Sequence, residues 1–76
     1  MFNNYIMPEI TFNLSEDFIP LSSLLKALNI VSSGGQAKIM IDDGMVQVNG
    51  VTEYQKRKKI RKGDTVLISN EKIWIV

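Results

Sequence analysis

The 76-residue chain contains no cysteine and no histidine. The lack of cysteine excludes disulfide bridges and thiolate metal sites, and it fits a protein that works in a reducing compartment. The lack of histidine removes the side chain that proteins use most often as general base and as metal ligand. Because no imidazole is present to activate a serine nucleophile, the sequence predicts a protein that is not an enzyme and that needs no cofactor or metal.

Long apolar runs are missing too. No run approaches the roughly 18 residues that a membrane-spanning helix requires, and the N-terminal segment lacks the basic and apolar regions of a secretory signal. We therefore expect a cytoplasmic protein without a membrane partner. With 45% hydrophobic and 22% charged residues, the composition is typical of a folded domain. At this length we expect residues 1–76 to form a single domain.

The first half of the chain predicts a strand and then a helix. Apolar residues alternate with polar ones over residues 9–14, which indicates a half-buried strand. Four leucines follow at helical spacing: Leu21, Leu24, Leu25 and Leu28. Pro20 suits the first position of this helix, and Asn29 can end it.

A second helix is predicted to begin at Ser33 and to end at Gly44. Ser33 and Gln36 have the spacing of a capping box, in which each side chain bonds to the backbone N–H of the other residue. Gly44 can end the helix in a left-handed conformation. Gly34 and Gly35, in the first turn, lower helix propensity by about 1 kcal/mol each relative to alanine. Two residues of low helix propensity at a helix start suggest that the glycines are there for a functional reason.

The rest of the chain predicts antiparallel strands. Asn49-Gly50 is a strong hairpin signal, residues 62–64 form a turn, and residues 69–72 form another. The strands lie between these turns, over residues 46–48, 51–54, 65–68 and 73–76. The fold class is therefore α+β, with two short helices packed on a small mixed or antiparallel sheet. The strand at residues 9–14 can pair within this sheet or with a neighbouring molecule, so the oligomeric state stays open and a monomer is favoured.

Positive charge is concentrated in one part of the chain. The nine basic and eight acidic residues nearly balance, but residues 38–76 hold eight of the basic residues and five of the acidic ones. Six basic residues lie almost consecutively: Lys56, Arg57, Lys58, Lys59, Arg61 and Lys62. Such a cluster is typical of a surface that binds a polyanion, and we expect it on a curved strand end and loop. The alternative is a solvated loop that its lysines keep soluble.

The start of the second helix is a further candidate anion site. Helix N-termini present free N–H groups, and Gly34 and Gly35 have no side chains to keep a phosphate away. Lys38 lies one turn later, and its side chain is expected to lean back over the same place. The alternative is a tight turn that needs glycine for its geometry, with Lys38 loosely paired to Asp42.

Two aromatic residues are candidate stacking surfaces. Tyr54 lies just before the basic residues and is the better candidate to stack on a nucleobase. Trp74 alternates with Ile73 and Ile75, so it faces away from them, and we expect it to pack against another element.

These motifs occur in an order that resembles the S-four (S4) domain, an RNA-binding module. Its features here are the segment 33–38, the segment 44–50, the basic residues and the Gly63-Asp64 turn, and the resemblance covers about residues 19–68. The chain is most similar to the stand-alone bacterial, ribosome-associated subfamily. The resemblance implies that two helices and a hairpin form an L-shaped RNA-binding surface.

We therefore expect a non-catalytic protein that recognises structured RNA through its phosphate backbone. Ribosomal RNA or a ribosomal particle is the expected partner, with a role in ribosome assembly. The predicted RNA-binding residues are Ser33, Gly34, Gly35, Lys38, Lys56, Arg57, Lys58, Lys59 and Arg61. The alternative is a protein-interaction adaptor whose basic loop grips an acidic partner.

Overall fold

Two helices and seven strands make up the part of the chain that the computed structural model describes, residues 8–69 and 71–76. Helix α1 spans Leu21–Ala27 and helix α2 spans Gly34–Asp42. The strands are β1 (Glu9–Phe12), β2 (Ile19–Pro20), β3 (Val46–Val48), β4 (Val51–Thr52), β5 (Lys59–Ile60), β6 (Thr65–Ile68) and β7 (Glu71–Ile75).

The strands form one sheet of five and a second sheet of two. The order in the larger sheet is β1-β7-β6-β3-β4, and β2 pairs with β5 in the smaller one. Strand β1 runs parallel to β7, whereas the other pairs are antiparallel. The predicted α+β class with a mixed sheet is therefore confirmed. The N-terminal strand pairs within its own sheet, with Ile10 opposite Ile73 and Phe12 opposite Ile75.

A single apolar core lies between the helices and one face of the larger sheet. Three of the four leucines at helical spacing, Leu21, Leu24 and Leu25, are completely buried, and Leu28 packs against the core while partly exposed. Ala37 and Ile41 are the buried residues of α2. The sheet buries alternate residues of β3, β6 and β7: Val46, Val48, Val66, Ile68, Ile73 and Ile75. Period-two alternation thus explains the core face of the sheet.

The helix ends mostly follow the sequence signals. Pro20 is the N-cap of α1 in extended conformation, one position earlier than predicted. Asn29 ends this helix with a left-handed φ of 58°, and Gly44 ends α2 with a φ of 74°. At the start of α2 the Ser33 hydroxyl accepts from the Gln36 N–H at 3.2 Å. The prediction of the reciprocal bond was wrong by one residue. Gln36 Oε1 accepts from the N–H of Ser32 at 2.8 Å and not from that of Ser33.

The hairpin turn is as predicted, and some strand limits differ. Asn49 and Gly50 both have a positive φ, 51° and 84°, as a type I′ turn requires. Strands β1 and β4 end two residues earlier than predicted, and β7 begins at Glu71 because Glu71 pairs with Ile68. The predicted 69–72 turn is therefore shorter, and its residue Asn70 lies outside the described residues. Strands β2 and β5 were not predicted, since two residues show no periodicity.

No helix in the described part of the chain has the length and apolar character that crossing a membrane requires.

The burial of the sheet predicts how two isoleucines differ in importance. Ile73 is 0% exposed and Ile39, on the outer side of α2, is 63% exposed. We expect Ile73→Ala to lower the free energy of unfolding by about 2–5 kcal/mol, because it removes buried apolar surface and leaves a cavity. Ile39→Ala makes the same chemical change at the surface and should alter stability by less than about 0.5 kcal/mol. Urea unfolding of both variants measures the difference, and equal losses would contradict the described core.

Candidate functional site

The residues 56–62, called the basic segment below, are attached to the start of α1 by their backbone. The carbonyl oxygen of Lys58 accepts from the N–H of Leu21 at 2.9 Å, and that of Lys56 accepts from the N–H of Ser22 at 3.0 Å. The first N–H groups of a helix have no partner within the helix, so these carbonyls satisfy donors that would otherwise need water. The segment is thus held by its backbone, and its side chains are left for other contacts.

One apolar residue anchors the basic segment in the core. Ile60 is completely buried and pairs with Ile19 across the β2–β5 ladder. The neighbouring Lys59 pairs with Pro20 in the same ladder and remains exposed. All six cationic residues of the segment are exposed. The predicted placement on a strand end and loop is therefore correct.

The carboxylate of Asp64 fixes the turn at which the basic segment ends. Its two oxygens accept from the Arg61 N–H at 2.7 Å and from the Asn49 side-chain amide at 3.0 Å. The Asn49 amide oxygen in turn accepts from the Thr65 N–H at 2.9 Å. These bonds join the β3–β4 hairpin to the end of the segment. The sequence predicted Asn49 and Asp64 only as turn residues.

The charges of the basic segment are not compensated within the described residues. The ion pair found there joins Lys38 and Asp42, and no cation of the segment takes part in one. Exposed charges closer than a Debye length of about 8 Å still interact at physiological salt. The segment therefore presents a field that favours a polyanion.

An aromatic ring that the sequence did not single out lies under two of these cations. Lys59 Nζ lies 4.9 Å from the ring centre of Phe18, and the Arg61 guanidinium carbon lies 5.6 Å from it. Both distances are in the range of a cation–π interaction. Phe18 is adjacent to β2, so its cross-strand position explains the contact. The short β2–β5 ladder gave no sequence signal that could have revealed it.

The start of α2 is open. A Cβ on Gly34 would meet no atom within 4 Å, and one on Gly35 would lie 3.8 Å from Ser33 Oγ. A positive φ is found at three other glycines and at neither of these two. The first part of the alternative, in which the turn needs glycine for its geometry, is therefore wrong, whereas its second part, the pairing of Lys38 with Asp42, is found. Within residues 8–69 and 71–76, the N–H groups of Gly34 and Gly35 have no acceptor, so they can receive an anion.

The side chain of Lys38 lies away from this place. Its ammonium bonds to Asp42 Oδ2 at 2.6 Å, so it points toward the end of α2 and does not lean back over Gly34 as predicted. The two side chains are 55% and 50% exposed. An exposed pair of this kind contributes about 0.3–0.5 kcal/mol to stability. Because this contribution is small, an anion that binds Lys38 more strongly can readily take the place of Asp42. The pairing of Lys38 with Asp42, which the sequence offered as the alternative, is found.

The predicted site residues thus form two groups on either side of α1. The basic segment lies at the start of α1. Ser33 caps α2, and the connection between the two helices leads from the end of α1 to Ser33. This connection folds back, because the N–H groups of Ile30 and Val31 both donate to the carbonyl oxygen of Leu25. A seven-residue helix is about 10 Å long, which sets the scale of the separation.

The two other aromatic candidates differ in position. Tyr54 is exposed, and its hydroxyl oxygen lies 3.4 Å from where a Cβ of Gly44 would be, at the end of α2. Trp74 faces away from Ile73 and Ile75 as predicted, lies on the sheet face away from the core and is 40% exposed, and its contact with another element is with the neighbouring strand β1. Its indole N–H donates to Glu9 Oε1 at 2.7 Å, and the Lys72 ammonium lies 4.4 Å from the ring centre.

Residues that could hold a metal do not come together. Among the described residues, no group of three or more aspartate, glutamate, histidine or cysteine side chains has a suitable arrangement.

Two short helices on a mixed sheet, with a cationic segment pinned to the first helix, define a small α+β module with an exposed basic surface. The family model described as the S4 domain matches residues 12–76. The chain belongs to the S4 domain family. The predicted resemblance is confirmed, and the match extends beyond the expected core of residues 19–68.

The relatives include a protein of similar length with a solved structure. The Escherichia coli (strain K12) protein named "Putative RNA-binding protein YbcJ" is 40% identical over 67 residues, which are 87% of this chain and 96% of YbcJ. The solution structure of E. coli YbcJ superposes with a TM-score of 0.62 at 33% identity and covers 100% of this chain and 95% of that one. It is described as revealing an αL motif involved in RNA binding.

A second kind of relative carries the module within a larger enzyme. Tyrosine–tRNA ligase 2 of Pseudoalteromonas translucida (strain TAC 125) is 37% identical over 62 residues. These are 80% of this chain and 16% of the ligase.

Two glycine substitutions, one at the open start of α2 and one in the β3–β4 hairpin, should have opposite effects on the free energy of unfolding. Gly34 has room for a side chain and no positive φ, so Gly34→Ala should raise the free energy of unfolding by about 0.4–1 kcal/mol. Gly50 also has room but has a φ of 84°, so Gly50→Ala should lower it by about 1 kcal/mol or more. Thermal or urea unfolding measures both, and a loss of stability in Gly34→Ala would show that the fold itself needs this glycine.

Proposed function

We propose that this protein is a non-catalytic RNA-binding protein that recognises structured RNA through the phosphate backbone. The observation that carries the proposal is the basic segment, which is fixed by its carbonyls and by buried Ile60 while its cations stay exposed. Segments held in this way lose little conformational freedom on binding, which favours affinity. The similarity to YbcJ, whose solution structure contains an αL motif involved in RNA binding, supports RNA as the polyanion.

The two groups of residues have complementary roles in this proposal. The basic segment neutralises phosphates with five side chains: Lys56, Arg57, Lys58, Lys59 and Arg61. At α2 the N–H groups of Gly34 and Gly35 receive a further phosphate, and Ser33 fixes the helix start beside them. When RNA binds, Lys38 leaves its ion pair with Asp42 and contacts the RNA instead. Backbone recognition suits A-form RNA, whose deep and narrow major groove hides the base edges from side chains.

The finer aspects of the proposal concern the partner and the setting. Ribosomal RNA or a ribosomal particle is the proposed partner, and ribosome assembly in the cytoplasm is the proposed role. The whole chain, residues 1–76, acts as one monomeric binding unit around the core of residues 19–68. The similarity to part of a tyrosine–tRNA ligase supports structured RNA in general. Crosslinking in cells followed by sequencing of the attached RNA identifies the partner.

Charge reversal within the basic segment should weaken RNA binding strongly. We expect Lys56→Glu with Lys58→Glu to weaken binding at least tenfold, because two phosphate contacts become repulsive. Lys26→Glu with Lys72→Glu changes the net charge by the same amount outside the proposed site and should retain most of the affinity. Fluorescence polarisation with a labelled RNA hairpin measures both variants, and circular dichroism checks their folding. Equal losses would point to non-specific attraction by total charge and would contradict the proposed site.

The salt dependence of binding should count the phosphate contacts. If about five phosphates are neutralised, the slope of log K against log salt should be about −3.5 to −4.5. The double variant at Lys56 and Lys58 loses two of these contacts. Its slope should therefore be less negative, by the amount that two phosphate contacts contribute. A slope near zero in the unaltered protein would contradict a phosphate-based interface.

Digestion of RNA separates this function from that of a protein-interaction adaptor. An RNA-binding protein should lose its ribosomal particles from a pull-down after RNase treatment. An adaptor that grips an acidic protein should keep its partner under the same conditions.

A further inference from the structure

We propose that the groove beside Phe18 receives one unpaired base of the bound RNA, so that the protein prefers RNA in which a nucleotide is extruded from the helix. This inference rests on the proposed function and extends it, because backbone contacts alone do not distinguish a paired from an unpaired nucleotide. The groove lies next to the basic segment and contains none of the residues that the sequence predicted for the site.

The groove has the size and lining that a single base requires. Its volume is about 260 Å³, and its apolar wall includes Phe12, Phe18 and Pro20. Pockets for drug-sized ligands have about 300–1,000 Å³, so this groove suits a smaller, flat group. Asn13 and Glu16 also line it and supply the acceptors and donors that the polar edge of a base needs.

Phe18 joins the groove to the cations of the basic segment. Its ring lines the groove and lies 4.9 Å from Lys59 Nζ and 5.6 Å from the Arg61 guanidinium carbon. A base against this ring therefore has its own phosphate within reach of two cations. Exposed aromatic rings beside a cationic track are how proteins hold unpaired bases, since every base has a face that can stack.

The charges around the groove orient the nucleotide. The carboxylate of Glu16 disfavours a phosphate and can accept from the N–H groups of a base. Lys59 and Arg61 attract the phosphate on the other side of Phe18. Charge complementarity thus selects a base in the groove with its phosphate at the rim, and it disfavours an acidic peptide there.

Three labelled RNA hairpins that share one stem test this proposal: a fully paired stem, a stem with one bulged adenosine and a stem with one bulged abasic nucleotide. The abasic hairpin keeps the bend of the bulge and lacks the base. We expect the unaltered protein to bind the bulged adenosine about 5- to 150-fold more tightly than the abasic bulge, the range of one base–aromatic stacking contact. Phe18→Leu should remove this preference, so that the two bulged hairpins bind with equal affinity.

Two variants serve as controls. Phe18→Trp keeps a ring in the groove and should retain the preference. Trp74→Leu removes a ring of similar exposure, 40% against 36%, on the outer face of the sheet and should also retain it. Equal affinity of the unaltered protein for the adenosine and abasic bulges would overturn the base site while leaving RNA binding intact. A Phe18→Leu variant that weakens all three hairpins equally would overturn it too, because the ring would then act only on its two cations. Absence of binding to every hairpin would instead contradict the proposed function.

Discussion

Two backbone hydrogen bonds, from the first N–H groups of α1 to the carbonyls of the basic segment, are the constraint on which the proposed surface depends. A helix start needs acceptors, and a run of cations needs a support that leaves its side chains exposed. Leu21 and Ser22 meet both needs by bonding to Lys58 and Lys56. Repulsion among the cations would push an untethered loop apart. Here the bonds to α1, with buried Ile60 between the cations, oppose that repulsion.

The two faces of the large sheet differ in the groups that they leave exposed. The helices cover one face of the large sheet, and the basic segment continues their surface through the small β2–β5 sheet. The opposite face carries Trp74, whose ring contacts Glu9 on the neighbouring strand β1 and Lys72 on its own strand β7. Those contacts satisfy the indole within the protein. Among the described residues, the N–H groups of Gly34 and Gly35 have no acceptor and the cations of the basic segment have no carboxylate partner, so they are the groups that an anionic ligand can satisfy.

Periodicity and turn chemistry predicted most of the fold. The leucines of α1, the Ser33 cap and the Asn49-Gly50 turn are local signals, and the structure places each as expected. The β2–β5 ladder was missed because two-residue strands have no period, and with it the contact of Phe18 with two cations. The residues of the candidate site were identified from charge and glycine placement, but their relation across α1 is a tertiary property. The sequence offered two placements for Lys38, back over Gly34 or paired with Asp42, and spacing alone could not decide between them because a long, flexible side chain can reach either.

The most direct test of the central claim is a titration of ¹⁵N-labelled protein with an RNA hairpin, followed by amide chemical shifts. The surface proposed for RNA consists of the start of α2 and the basic segment, so the largest changes should occur at residues 33–38 and 56–62. The outer sheet face, including Leu67, Lys72 and the Trp74 indole, should change little. Changes concentrated on that outer face, with the basic segment unaffected, would contradict the account.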